Sequence, residues 1–154
     1  MSVALFELTT DSAGETEKLG REFAKLLAAD HDLNSETVFV ALYGTLGAGK
    51  TAFVRGMAAE LVPSASVTSP TYAIVNEYKI SKFIFAHFDM YRISGEDDLY
   101  SCGFDDYFRP GCLIAAEWSE NIPFALPDEY YSVKLEPLSE NGRRIIISVN
   151  SIKK

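Results

Sequence analysis

Cysteine and histidine are nearly absent from this 154-residue chain, with two of each, and there is a single tryptophan. Cys102 and Cys112 form no C-x-x-C pair, and His31 and His87 stand far apart. That excludes a disulfide framework or a zinc cluster and points to a reduced, cytosolic setting. No apolar run approaches the roughly 18 residues of a membrane span. The first ten residues lack the basic-then-apolar order of a secretory signal, so neither export nor a membrane is expected. Positive charge is scarce as well. Fourteen Lys and Arg face 22 Asp and Glu, a formal net of −8. Such a balance argues against a surface built to grip nucleic acid, DNA included.

What is present suits a packed core. Hydrophobic residues make up 47%, aromatics 12% and charged residues only 23%, which excludes disorder as the dominant state. At this length one domain spanning 1–154 is the expectation. Residues 12–30 carry an apolar stripe at Leu19, Phe23, Leu26 and Leu27, and Ser12 and Glu15 have capping-box spacing, so a helix is predicted. Thr37-Val38-Phe39-Val40-Ala41-Leu42-Tyr43 reads as a strand buried on both faces. A glycine-rich turn follows, then a helix with Phe53, Met57 and Leu61 inward, stopped by Pro63. Residues 73–80 and 83–89 flank Ser81-Lys82 as a predicted hairpin. Residues 95–108 are acidic and partly helical, and Cys112-Leu113-Ile114-Ala115-Ala116 is a buried strand closing on Glu117-Trp118. Strands at 130–136 and 143–149 surround a turn at Glu140-Asn141-Gly142. The predicted class is α/β, with a parallel core and antiparallel additions.

The chemistry is concentrated in Gly44-Thr45-Leu46-Gly47-Ala48-Gly49-Lys50-Thr51, a complete G-x-x-x-x-G-K-[ST] phosphate-binding loop placed between strand and helix. Its glycines let successive N–H groups converge on phosphate oxygens, and the helix N-terminus points at the same anion. Lys50 would neutralise β/γ-phosphates and Thr51 would offer its hydroxyl to Mg²⁺. Nucleotide chemistry also needs a carboxylate at a strand end, and two are available. Asp89 closes Phe83-Ile84-Phe85-Ala86-His87-Phe88, and Glu117 closes the 112–116 run. One would hold the metal and the other would orient water, in an order these residues leave open. Thr68-Ser69-Pro70-Thr71-Tyr72 is either a switch segment or an ordinary Ser/Pro loop.

Taken together, the loop, Ser69-Pro70-Thr71-Tyr72, His87-Phe88-Asp89-Met90-Tyr91-Arg92 and Glu117-Trp118-Ser119-Glu120 resemble the TsaE (YjeE) family in order and spacing, over nearly the whole chain. The resemblance implies a three-layer P-loop NTPase fold: a central mixed sheet flanked by helices. It implies an ATPase that is weak alone and supports the TsaD–TsaB heterodimer in forming threonylcarbamoyladenosine on tRNA, with tRNA met indirectly, through the complex. On that resemblance Thr51 and Glu117 are Mg²⁺ ligands, Asp89 serves hydrolysis alongside Lys50, and Thr71 belongs to a switch. The candidate ATP contacts are Gly47, Ala48, Gly49, Lys50, Thr51 and Ala52. Further contacts come from Ser12, Trp118, Glu120 and the Gly142-Arg143 turn. Thr45 departs from the family loop, which carries Asp there. Backbone N–H groups make the phosphate cradle, so binding is expected to survive.

Two rivals remain: a small-molecule kinase, disfavoured because no arginine-bearing lid follows Glu117, and a nucleotide-dependent binding module without useful catalysis. A GTPase lacks its N-K-x-D motif here. The net charge of −8 fits a subunit whose positive elements are local to Lys50 and a helix N-terminus, while other subunits meet the tRNA.

Overall fold

The computed structural model describes residues 2–63 and 74–151. A seven-stranded sheet runs in the order β1-β7-β6-β2-β5-β4-β3. The strands are β1 (Ser2–Thr10), β2 (Thr37–Tyr43), β3 (Val75–Ile80), β4 (Phe83–Asp89), β5 (Cys112–Glu117), β6 (Glu129–Pro137) and β7 (Arg143–Ser151). The helices are α1 (Ala13–Asp30), α2 (Lys50–Leu61) and α3 (Glu96–Ser101). Strands β6, β2, β5 and β4 pair in parallel. The pairs β3–β4, β6–β7 and β1–β7 are antiparallel. This is the three-layer P-loop NTPase arrangement, with a parallel core extended at both edges. Among the described residues no helix is long and apolar enough to cross a membrane.

The two faces of the sheet bury separate cores. Val38, Val40 and Leu42 pack with Leu113, Phe85 and Val133 under α1 and α2. Phe39 and Ala41 pack with Ile114, Phe88 and Phe104 on the side of α3. Strand β2 is covered on both sides, which is why its sequence is an unbroken apolar run. The parallel register leaves the carboxyl ends of β2, β4 and β5 on one edge, at Leu42↔Glu117 and Asp89↔Glu117. Ligand sites of open α/β sheets form outside that edge.

Helix α1 is capped as predicted. The Glu15 N–H donates to Ser12 Oγ at 3.1 Å, while the Glu15 carboxylate accepts from the Asp11 N–H at 2.8 Å. Its buried face is rotated from the predicted stripe. Thr16, Gly20, Phe23, Ala24 and Leu27 are buried, whereas Leu19 and Leu26 are only partly so. The reason is the approach of α2. A Cβ on Gly20 would lie 2.1 Å from the Phe53 carbonyl oxygen, and one on Gly56 would lie 1.8 Å from that of Glu17. The two helices therefore touch backbone to backbone, and residues without side chains occupy the crossing.

Strand β1, at the outer edge, is an element that residue patterning missed. It is exposed along nearly its whole length and carries a register shift between Ala4 and Phe6. Both features erase the alternation that identifies a half-buried strand.

Candidate functional site

The glycine loop joins the end of β2 to the start of α2. Gly44 has φ +150° and Gly49 φ +99°, backbone that L side chains rarely adopt. A Cβ at Gly44 would also meet the Leu135 carbonyl oxygen at 2.7 Å. Gly49 is the N-cap of α2, so the orphan N–H groups of the first helical turn open toward the loop. The loop is held closed from within by the Ala48 N–H, which donates to the Thr45 carbonyl at 3.0 Å.

Lys50 folds back over this loop. Its Nζ donates to the Gly44 carbonyl at 2.5 Å and the Thr45 carbonyl at 3.0 Å, and stands 4.0 Å from the centre of the Trp118 ring. Burial lowers its pKa, opposed by the charges of Glu117, Glu120 and Asp89. The ammonium is thus held by carbonyls and a ring face, partners that a phosphate oxygen would replace with a stronger charge-assisted bond.

Glu117 lies at the end of β5 and is 4% exposed. The Thr51 hydroxyl lies 3.2 Å from each of its carboxylate oxygens. His87 Nε2 lies 2.5 Å from Oε2 of the same group. His87 is fully buried, and its Nδ1 has no hydrogen-bond partner among the described residues. A histidine among apolar strand neighbours is at least as readily a packed side chain as a functional one. The structure makes it both: a core side chain that grips the site carboxylate. Trp118 follows in a left-handed conformation, φ 60°, and its ring packs 4.9 Å from that of Tyr91. A bulky residue at positive φ carries strain; the turn it makes sends Glu117 inward and lays the indole across Lys50.

Asp89 ends β4 on the same rung as Glu117. Its Oδ1 accepts the Tyr91 N–H at 3.0 Å. Burial raises its pKa, the Tyr91 bond works the other way, and the neighbouring Glu117 raises it further. A folded-state pKa above the unfolded one means that stability is lost as pH rises through the carboxylate range. Asp89→Asn is therefore expected to melt higher than the parent at neutral pH. The gap should close in acid, where the parent carboxyl is protonated. Melting curves across that range check it; a gap independent of pH would show that the charge is not what costs stability.

A cavity of about 360 Å³ is lined by Ala13, the 46–52 stretch, Asp89, Glu117, Trp118 and Arg143. It brings together Gly47, Ala48, Gly49, Lys50, Thr51 and Ala52 with both strand-end carboxylates. Ser12 is not among the lining residues; its neighbour Ala13 is, and the Ser12 hydroxyl is occupied as the α1 cap. Glu120 accepts the Gly44 N–H at 2.9 Å and so touches the loop itself. Gly142 reaches the site through its neighbour: its carbonyl accepts from Arg143 Nη1 at 2.8 Å. Thr71 and the rest of the Ser-Pro-Thr-Tyr motif lie outside the described residues. The contacts that residue reading lacked are the His87 grip on Glu117 and the reach of Arg143 to the loop. Both left a trace: His87 is a polar residue inside an apolar strand, and the Gly142-Arg143 turn is among the contacts that the family resemblance implies.

The residues present suit a nucleotide with a divalent cation. A hydroxyl and a carboxylate, both hard oxygen donors, meet at Thr51 and Glu117, the chemistry that Mg²⁺ prefers. Among the described residues no group of three or more His, Cys, Asp or Glu is placed to hold a metal.

The family model described as "Threonylcarbamoyl adenosine biosynthesis protein TsaE" matches residues 10–145. The tRNA threonylcarbamoyladenosine biosynthesis protein TsaE of Aquifex aeolicus is 36% identical over 146 residues, covering 93% of this chain and 96% of that protein. Its counterpart in Haemophilus influenzae is 36% identical over 119 residues, 77% of this chain and 74% of that protein. Among solved structures, Bacillus subtilis YdiB superposes with a TM-score of 0.70 at 27% identity, covering 99% of this chain and 88% of that one.

Proposed function

We propose that this chain, which belongs to the TsaE family of threonylcarbamoyl adenosine biosynthesis proteins, is a cytoplasmic single-domain ATPase. It binds ATP with Mg²⁺ in the loop cavity and hydrolyses it slowly alone. Its turnover serves the TsaD–TsaB heterodimer, which carries the contact with tRNA. The observation that carries the reading is the convergence of Lys50, Thr51, Glu117 and Asp89 on one glycine loop at the carboxyl edge of the sheet.

The loop N–H groups and Lys50 would hold the phosphates, and Thr51 with Glu117 would hold the metal. Bound Mg²⁺ supplies charge neutralisation at the terminal phosphates. Lys50 leaves the Gly44 and Thr45 carbonyls for phosphate oxygen, exchanging neutral acceptors for a charged one. His87 keeps the Glu117 carboxylate turned toward Thr51. Asp89, its proton affinity raised by burial, would accept at a carboxylate oxygen the proton of the attacking water, as the water oxygen bonds to the terminal phosphorus and the bond to the ADP oxygen breaks. Trp118 and the cavity walls limit access of other water.

Calorimetric titration with ATP, with and without Mg²⁺, tests binding, and phosphate release with and without TsaD–TsaB tests the function. The expected result is Mg²⁺-dependent binding and slow release that the heterodimer changes. A heterodimer that neither binds the chain nor alters release would refute the partnership. A chain that binds nucleotide with no release under either condition would be a binding module. Glu117→Gln keeps the shape and removes the charge, and it is expected to cut the Mg²⁺-dependence of binding at least tenfold, in line with loss of a charged ligand. Unchanged Mg²⁺-dependence would transfer the ligand role to Asp89.

A further inference from the structure

Every N–H-bearing nitrogen of the Arg143 guanidinium is committed to a main-chain carbonyl. Nε donates to the Ala48 carbonyl at 3.0 Å and Nη2 to the Gly47 carbonyl at 2.8 Å. Nη1 donates to the carbonyls of Ser139 at 3.1 Å, Glu140 at 3.3 Å and Gly142 at 2.8 Å. The side chain thus ties the β6–β7 turn to the centre of the glycine loop, 95 positions away in sequence.

We propose that Arg143 is a positioning residue of the phosphate loop, its planar fork fixing two adjacent peptide planes in the orientation an incoming phosphate requires. The proposal rests on the nucleotide reading given above. In a trans peptide the C=O and the next N–H point in opposite directions. With the Gly47 carbonyl turned to Arg143, the Ala48 N–H faces away and reaches Thr45. With the Ala48 carbonyl also turned to Arg143, the Gly49 N–H faces away from the guanidinium. The first plane is thus locked into the loop's own turn, and the second presents its N–H on the side opposite the fork. Both glycines of this segment have positive φ and hence unusual freedom to flip the planes between them. A loop so rich in glycine has a conformational entropy to lose on meeting phosphate, and the fork removes that loss beforehand. Glu120 acts at the other end, accepting the Gly44 N–H at 2.9 Å. The first residue of the loop is held by an acid and its middle by a base. Lysine in place of Arg143 would bring the charge without the fork, since an ammonium is a point donor on a flexible stem.

The test uses the full chain. Deuterium uptake over residues 44–51 is measured without nucleotide, and MgATP affinity is measured by calorimetry, for the parent, Arg143→Lys and Arg143→Ala. Both variants are expected to exchange faster in the loop and to bind MgATP about ten- to a hundredfold more weakly, the value of charge-assisted bonds that hold a site. Ethylguanidine added to Arg143→Ala is expected to slow that exchange and restore part of the affinity. Parent-like exchange and affinity in Arg143→Lys would overturn the proposal, because charge alone would then suffice. Weakened binding with unchanged exchange would also overturn it, and would make Arg143 a direct ligand contact. If the parent itself does not bind MgATP, the nucleotide reading fails separately, and loop exchange alone decides whether Arg143 braces the loop.

Discussion

Lys50→Ala is expected to weaken MgATP binding by about thirtyfold to several thousandfold, while the chain folds as before. The affinity follows from removing the ammonium that faces the phosphates. Truncating one member of a desolvated charge pair costs roughly 2–5 kcal/mol, which is about thirtyfold to several thousandfold in affinity. The intact fold follows from what Lys50 touches without nucleotide: two carbonyls of its own loop and one ring face. Burial lowers its pKa, so the charge is a cost to the folded chain rather than a prop. The alanine variant is therefore expected to match or exceed the parent in melting temperature while binding MgATP that much more weakly. MgATP affinity within threefold of the parent would sink the phosphate-loop assignment.

Gly56→Ala is expected to have the opposite profile, a large loss of stability from one added methyl. Helix propensity alone predicts a gain, since alanine is favoured over glycine by about 1 kcal/mol inside a helix. The crossing of α1 and α2 reverses the sign. The new Cβ would sit 1.8 Å from the Glu17 carbonyl oxygen and 2.7 Å from its carbon, and main chain cannot rotate aside as a side chain can. The helices must separate, opening the packing of Phe23 against Phe53 and the seat of Met57. A cost of about 3–5 kcal/mol is expected, out of a stability on the order of 5–15. Gly14→Ala is the control, because its Cβ would meet only Ser12 Oγ at 3.8 Å; it is expected to be neutral or mildly stabilising. Denaturant unfolding of the three chains decides it, and a Gly56→Ala chain as stable as the parent would show that the crossing is looser than its geometry. Because α2 carries Lys50 and Thr51 at its first turn, a displaced helix is also expected to weaken MgATP binding.

These two variants separate what is written locally from what is not. Lys50 was legible because strand, glycine turn and helix are consecutive, and each announces itself by residue type alone. The same holds for the Ser12 cap and for Asp89 and Glu117, which need only a position after an apolar run. Gly56 and Gly20 gave no such signal. An isolated glycine in a helical pattern reads as a mild defect, and only the facing helix turns it into a requirement. The apolar stripe of α1 was placed a fraction of a turn away for the same reason: side-chain size marked Leu19 and Leu26 as inward, while the closest approach falls on residues too small to count as hydrophobic.

Fold class, the loop, the two strand-end carboxylates and membership of the family were thus all decided by the order of residues, because each depends on short-range patterns or on motifs kept in sequence. Tertiary structure alone decided who holds that site in shape. His87 meets Glu117 because β4 and β5 pair in parallel with a set register. Arg143 and Glu120 meet the loop because β6 inserts beside β2 and carries β7 with it, and because the chain turns sharply at Trp118. Strand β1 exists because β7 offers it an edge, pairing Ser2 with Asn150. Contacts between residues so far apart depend on which strands become neighbours, and that is settled by the packing of the whole sheet rather than by any segment of it.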